Sequence, residues 1–203
     1  MKRTRLARAW KFLLCLMLTL TAAGGTAQVF GQTGMAPRVG TFLVAAEAIK
    51  DPRFQQTVIL LVRHDLGGTV GLVVNRPAVV APQKVLPELP EQFAGLFFGG
   101  PVSPLRPMVL LRSSNPPADS LAVLERTHVV GLDEVLRHLT GGGRPGELFR
   151  IYLGYAGWSA GQLAREISRG DWQVVAGEEK AIFEEDPAGL WERLHQAGTI
   201  ITI

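Results

Sequence analysis

Three stretches in the first half of the chain, Thr41 to Ala45, Val58 to Val62 and Thr69 to Val74, are apolar at nearly every position instead of alternating. They are short, rich in β-branched residues and bounded by turn formers, so they read as strands. A strand with one wet face alternates between apolar and polar side chains. A strand that does not alternate needs both faces covered. Any fold for this chain must therefore close over both sides of a sheet. His64-Asp65-Leu66-Gly67-Gly68 supplies a turn between the second and third stretches, giving a hairpin. Asn75-Arg76-Pro77 ends it, because proline cannot donate to a ladder.

Strands and helices then alternate irregularly. Residues 78 to 95 are proline-rich and read as loop with a short helix. Leu96 to Phe98, Met108 to Leu111 and Thr127 to Val130 read as strands, and Asp133 to Leu139 as a helix stopped at Gly141-Gly142-Gly143. Leu148 to Leu153 is a strand, followed by a turn over Gly154-Tyr155-Ala156-Gly157-Trp158. Ser159 with Gln162 three residues on is a capping-box pattern for a helix that carries Leu163 and Ile167 and stops at Gly170. Trp172 to Ala176 is a strand. Asp186-Pro187 opens a last helix, with Leu190, Trp191 and Leu194 inward and Gly198 as its stop. The length of 203 residues suits one domain of mixed α/β (α+β) class.

The first 27 residues have another character. Lys2, Arg3, Arg5, Arg8 and Lys11 precede an apolar run from Phe12 to Ala23 and a small-residue exit at Gly25-Thr26-Ala27. That order is a secretory signal peptide. The expected organisation is signal 1–27, linker 28–38 and domain 39–203, with a periplasmic or secreted product. A retained membrane anchor and a cytoplasmic start at Met35 are the alternatives. Cleavage lowers Lys+Arg from 21 to 16 against 18 acids, a net charge of −2. The basic excess belongs to the signal, and nothing in the remainder favours nucleic acid as a partner. Cys15, the single cysteine, leaves with it.

Few motifs carry chemistry. Gly157-Trp158-Ser159-Ala160-Gly161 fits a nucleophile elbow, with Asp171 or Asp186 and then His195 completing a Ser–Asp–His order. The competing reading makes Ser159 a helix cap and His195 a helix residue. Gly141-x-Gly143-x-x-Gly146 follows a helix and precedes a strand, the reverse of a dinucleotide site. The four histidines share no metal-ligand spacing, so no metal and no cofactor are expected. His64 beside Asp65, and Glu184-Glu185-Asp186, read as solvated turns and caps. The two glycine-rich strand ends, Gly99-Gly100-Pro101-Val102 and Tyr155 to Trp158, form a candidate binding surface with Asn75, Arg76, Arg106 and Gln162.

Taken in order, Gly40 to Ala45, Asp51-Pro52-Arg53-Phe54, Gly68 to Pro77, Gly99-Gly100-Pro101-Val102 and Gly154 to Leu163 resemble the YqgE/AlgH family across most of the chain. The resemblance implies one compact domain with a branched sheet, a small barrel-like portion and surrounding helices. It implies no known reaction. The sequence departs from the family pattern at Leu105 and Arg165, where acids are usual, and at Ala160, where proline is usual. The expected function is a non-catalytic domain binding a partner protein or a small ligand. A small serine hydrolase and a cytosolic regulator are the alternatives.

Overall fold

A computed structural model describes residues 35–87, 89, 95–141 and 147–200. The expected signal and most of the expected linker lie outside the described residues, as do Gly142 to Gly146 and the last three residues. Among the described residues nine strands form one sheet: β1 (Thr41–Ala45), β2 (Val58–Asp65), β3 (Gly68–Val73), β4 (Leu96–Phe98), β5 (Val102–Arg112), β6 (Leu121–Ala122), β7 (Thr127–Val130), β8 (Leu148–Ser159) and β9 (Trp172–Ala176). The helices are α1 (Pro82–Val85), α2 (Leu132–Thr140), α3 (Gln162–Ser168), α4 (Glu179–Phe183) and α5 (Pro187–Ile200). Along the path β6-β7-β5-β8-β3-β2-β1-β9 every pair is antiparallel.

The sheet branches on β8. From Leu148 to Tyr155 this strand pairs with β5. On its other side, Ile151 to Leu153 pair in parallel with β4, and Ala156 to Ser159 pair with β3. The changeover needs backbones to cross in contact. A Cβ on Gly99 would lie 2.4 Å from the Gly154 oxygen, and one on Gly100 would lie 2.2 Å from the Tyr155 carbonyl carbon. Gly154 also has φ +69°, a region open to glycine at little cost. At this branch the glycines serve internal packing.

Side-chain alternation on β1 and β2 sorts the buried residues into an inside and an outside. Phe42, Val44, Val58, Leu60 and Leu72 join Leu110 and Tyr152 inside the curl, where Ala181 and Ile182 of α4 and Leu190 and Leu194 of α5 plug the opening. Leu43, Ala45, Ile59, Leu61 and Val73 face outward under Leu163 of α3 and Trp172. Val109, Leu111 and Ile151 face α2, through Leu132 and Val135. Each fully buried side chain contributes about 1.5–3 kcal/mol. Just past β6, the Val123 carbonyl oxygen would lie 2.5 Å from a Cβ on Gly40, the residue before β1. Gly177, just past β9, donates to the Gly40 oxygen at 3.0 Å, so the β6 end of the path closes on the β1–β9 end and the sheet curls into a half-barrel.

Four sequence expectations need correction. Gly154 to Trp158 is not a turn but the continuation of β8, since pairing with β3 and β5 holds it extended while its glycines let the strands cross. Ser159 is not the helix cap: it ends β8, and Gly161 (φ 70°) caps α3 without a side-chain bond. Gly198 does not stop α5, which runs on to Ile200. The strand expected at Met108 begins at Val102, crossing two prolines through a register shift between Val102 and Pro107. Short α4 and two-residue β6 had no sequence pattern to announce them.

Candidate functional site

The segment before β2 is a tight turn. Asp51 accepts from the Arg53 backbone N–H at 2.9 Å and holds the Arg53 guanidinium at 2.7 Å, which keeps its carboxyl below the usual range. The turn leaves carbonyl oxygens pointing outward, and Arg76 collects them. Its guanidinium donates to the oxygens of Arg53 at 2.6 Å, Gln55 at 2.8 Å and Pro52 at 3.2 Å. Neighbouring Asn75 accepts from the Val58 N–H and donates to the Gln56 oxygen, both at 2.9 Å. Gln56 is held at φ +53°, a strained value for a residue with a Cβ. The Asn75-Arg76 pair at the end of β3 thus clamps the entrance to β2.

Among the described residues, Arg76 has no carboxylate within ion-pair distance. Its three acceptors are neutral carbonyls, and a guanidinium carries five N–H donors. Burial lowers its pKa, but an arginine so placed stays charged.

Across from this clamp lies α5. The Trp191 indole N–H donates to the Ala45 oxygen at 2.8 Å, and His195 stacks on the Trp191 ring at 4.8 Å with 15° between planes. The His195 Nε2 lies 3.7 Å from a Glu47 oxygen, and Glu192 accepts from the Gln196 amide at 3.1 Å. Between the clamp and the helix is a cavity of about 580 Å³, lined by Gln55, Gln56, Asn75 and Arg76, by Glu47, and by this face of α5. That volume is ordinary for a small-molecule site.

The remaining candidates fall elsewhere. Glu166 of α3 accepts both indole N–H groups, from Trp158 at 2.7 Å and Trp172 at 2.8 Å, on a single oxygen. Its other oxygen accepts from Gln162 at 2.9 Å. Burial raises the Glu166 pKa, yet the bonds donated by Gln162, Trp172 and Trp158 outweigh it and hold the carboxyl below its ordinary value. Trp158 and Trp172 meet edge to face at 5.9 Å. Trp158 is buried, so it is no open wall for a ligand.

Among the described residues, Ser159 has no base. Its N–H and its hydroxyl both donate to the Gln162 side-chain oxygen, at 3.1 and 3.2 Å. Asp186 accepts from Ala188 N–H at the start of α5, and Asp171 pairs with Arg169. The Ser159–Asp186–His195 order is not assembled into a triad. Gly99, Gly100 and Pro101 belong to the sheet branch with half-buried Tyr155, and Arg106 is exposed on the irregular part of β5. His64 bonds Thr69 at 2.7 Å while Asp65 accepts from Gly67 N–H, so those neighbours do not act as a pair. Among the described residues no three metal-ligating side chains converge.

Of the sequence candidates, the structure brings Asn75, Arg76 and His195 to one cavity. Glu47, Gln55, Gln56, Trp191, Glu192 and Gln196 were not anticipated. One signal was available for the helix: Glu192, His195 and Gln196 stand at i, i+3 and i+4, a polar stripe beside the apolar Leu190–Leu194 face.

A family model described as AlgH-like matches residues 42–200. A UPF0301 protein of Methylococcus capsulatus is 34% identical over 158 residues, covering 74% of this chain and 84% of the relative. One of Mycobacterium leprae is 36% identical over 169 residues, covering 77% and 80%. The solution structure of the AlgH protein from Pseudomonas aeruginosa superposes with a TM-score of 0.65 at 33% identity, covering 83% of this chain and 92% of that one. A crystal structure of a Corynebacterium diphtheriae protein, at 24% identity and TM-score 0.68 over 81% and 88% of the two chains, shares the fold. With the model spanning the whole half-barrel and a relative this similar, the chain belongs to the AlgH-like (UPF0301) family, whose members have no assigned function.

Proposed function

We propose that this domain is a non-catalytic binding protein whose cavity between the Asn75-Arg76 clamp and α5 receives a small molecule. The observation that carries the reading is the Arg76 guanidinium, charged and held in a cavity wall where its acceptors are neutral carbonyls. By contrast, the serine of the elbow-like motif has its hydroxyl on Gln162 and not on a histidine. Binding would be transmitted through the clamp to β2 and through Trp191 to β1, which suits a regulatory role. In the same proposal the domain works outside the cytoplasm after loss of residues 1–27, supported by the five cations and apolar run at its start.

A second reading rests on a different surface. Phe98, Val102 and Leu105 are exposed apolar side chains beside the sheet branch, with Leu105 82% exposed, and they would suit a protein partner. The two readings separate with one variant. Ala188 is exposed and lines the cavity, so Ala188→Trp fills it without touching the clamp. A metabolite library is screened by thermal shift against the chain beginning at Gln28. The expected result is a ligand that stabilises wild type and not Ala188→Trp, by about 2.7 kcal/mol at a hundred times Kd. No ligand, or one indifferent to Ala188→Trp, would overturn the cavity reading. Intact mass of the native protein checks export, with a start at Gln28 expected and one at Met35 opposing it.

A further inference from the structure

Taking the cavity as a ligand site, we infer that it accepts a small zwitterion of the α-amino acid class, carboxylate toward Arg76 and ammonium toward Glu47 and Glu192. The charges in the lining are divided between its walls. On the clamp side stands Arg76, three of its N–H donors given to neutral carbonyls and no carboxylate of the described residues within 4 Å. A guanidinium in that position favours an anionic oxygen pair, for which its planar fork is shaped. Facing it are two carboxylates. Glu192 accepts from the Gln196 amide, a neutral donor, and Glu47 is 77% exposed with the His195 ring at 3.7 Å.

This division disfavours simpler ligands. A phosphate or other dianion seated at Arg76 would lie in a cavity with two carboxylates and be repelled by them. A simple amine drawn to the two acids would share the space with an uncompensated guanidinium. A molecule bearing both signs satisfies both walls at once, and like-charged or singly charged competitors are disfavoured by the same groups. The side chains of Gln55 and Gln56, each both donor and acceptor, can meet either end. The cavity volume, about 580 Å³, leaves room for a side chain beyond the two charged groups.

The test titrates the chain beginning at Gln28, by calorimetry, with each of the common L-α-amino acids. The best binder is then compared with its methyl ester, which lacks the carboxylate, and its N-acetyl form, which lacks the ammonium. Each derivative should bind at least about tenfold more weakly, a difference of ~1.4 kcal/mol. Arg76→Gln should abolish the penalty for the ester, but it also loosens the turn at Asp51. The double variant Glu47→Gln/Glu192→Gln is therefore the cleaner probe, because both groups are exposed. It should narrow or reverse the preference for the free amino acid over its N-acetyl form, which a purely structural role would not do. A library ligand of single charge that binds in an Ala188→Trp-sensitive way, with all amino acids silent, would overturn this inference and leave the binding function standing. Silence of amino acids and library alike would remove the function itself.

Discussion

Two places in this molecule set acidic or basic groups beside tryptophan, and they are opposites. At the β8–α3 junction, Glu166 takes three hydrogen bonds from Trp158, Trp172 and Gln162, and these bonds outweigh its burial. At the clamp, Arg76 is charged, half-buried and met by carbonyl oxygens, with Glu47 and Glu192 in the same cavity. The first arrangement is finished without a ligand. The second has charge to spare on both walls. A dense motif such as Gly157-Trp158-Ser159-Ala160-Gly161-Gln162 can therefore mark a structural joint, while the unpaired guanidinium sits at a short Asn75-Arg76-Pro77 strand end.

The largest effect expected from this contrast is at Glu166. Glu166→Ala removes the acceptor of two indole N–H groups whose side chains are 7% and 6% exposed, and should cost about 2–4 kcal/mol in urea unfolding. Glu166→Gln, which keeps one acceptor oxygen, should cost less. Equal stability of Glu166→Ala and wild type would break the distinction between a finished joint and an open site.

The same group gives a pH signature. Its folded pKa lies below the ordinary 4.5, so its contribution is complete above about pH 4.5 and is lost as pH falls through the depressed folded value. Acid unfolding of wild type should therefore steepen below pH 4.5, and Glu166→Gln should lack that component. A pH-stability curve that is unchanged in Glu166→Gln would show that the carboxylate is not held by its donors.

Asn75 tests the clamp as structure and not as ligand group. Asn75→Ala leaves the buried Val58 N–H without its acceptor, at a cost of about 1–3 kcal/mol. The smaller figure than for Glu166 reflects one buried donor orphaned instead of two. If Asn75→Ala also released the strained Gln56, hydrogen exchange at Val58 would accelerate more than at the strands distant from the clamp.

Local sequence carried the elements that local interactions decide. β1, β4, β7 and β9 have the bounds expected from composition and turn residues, and the unalternating strands are covered on both faces. The Gly154–Trp158 segment misled because its shape depends on two other strands, with partners as distant in sequence as Thr69 for Trp158 and Val102 for Tyr155. The clamp was half legible: Asn75 and Arg76 stood out beside Pro77, but the carbonyls they collect belong to residues with no pattern of their own. Gln55, Gln56 and Glu47 join the site only through tertiary packing, which no periodicity encodes.

Ser159 should give the smallest effect and the sharpest division between motif and mechanism. Its hydroxyl donates to the Gln162 oxygen at 3.2 Å in an exposed position, and the backbone N–H of the same residue already serves that acceptor. Ser159→Ala therefore removes a redundant donor and leaves Gln162 still tied to Glu166. Stability should move by no more than about 0.5 kcal/mol, as for ordinary surface changes. A fluorophosphonate probe should label neither wild type nor variant, because no imidazole of the described residues stands ready to take the hydroxyl proton. Labelling of wild type that Ser159→Ala abolishes would make the β8–α3 junction a reacting site after all, and the finished joint and the open cavity would exchange roles.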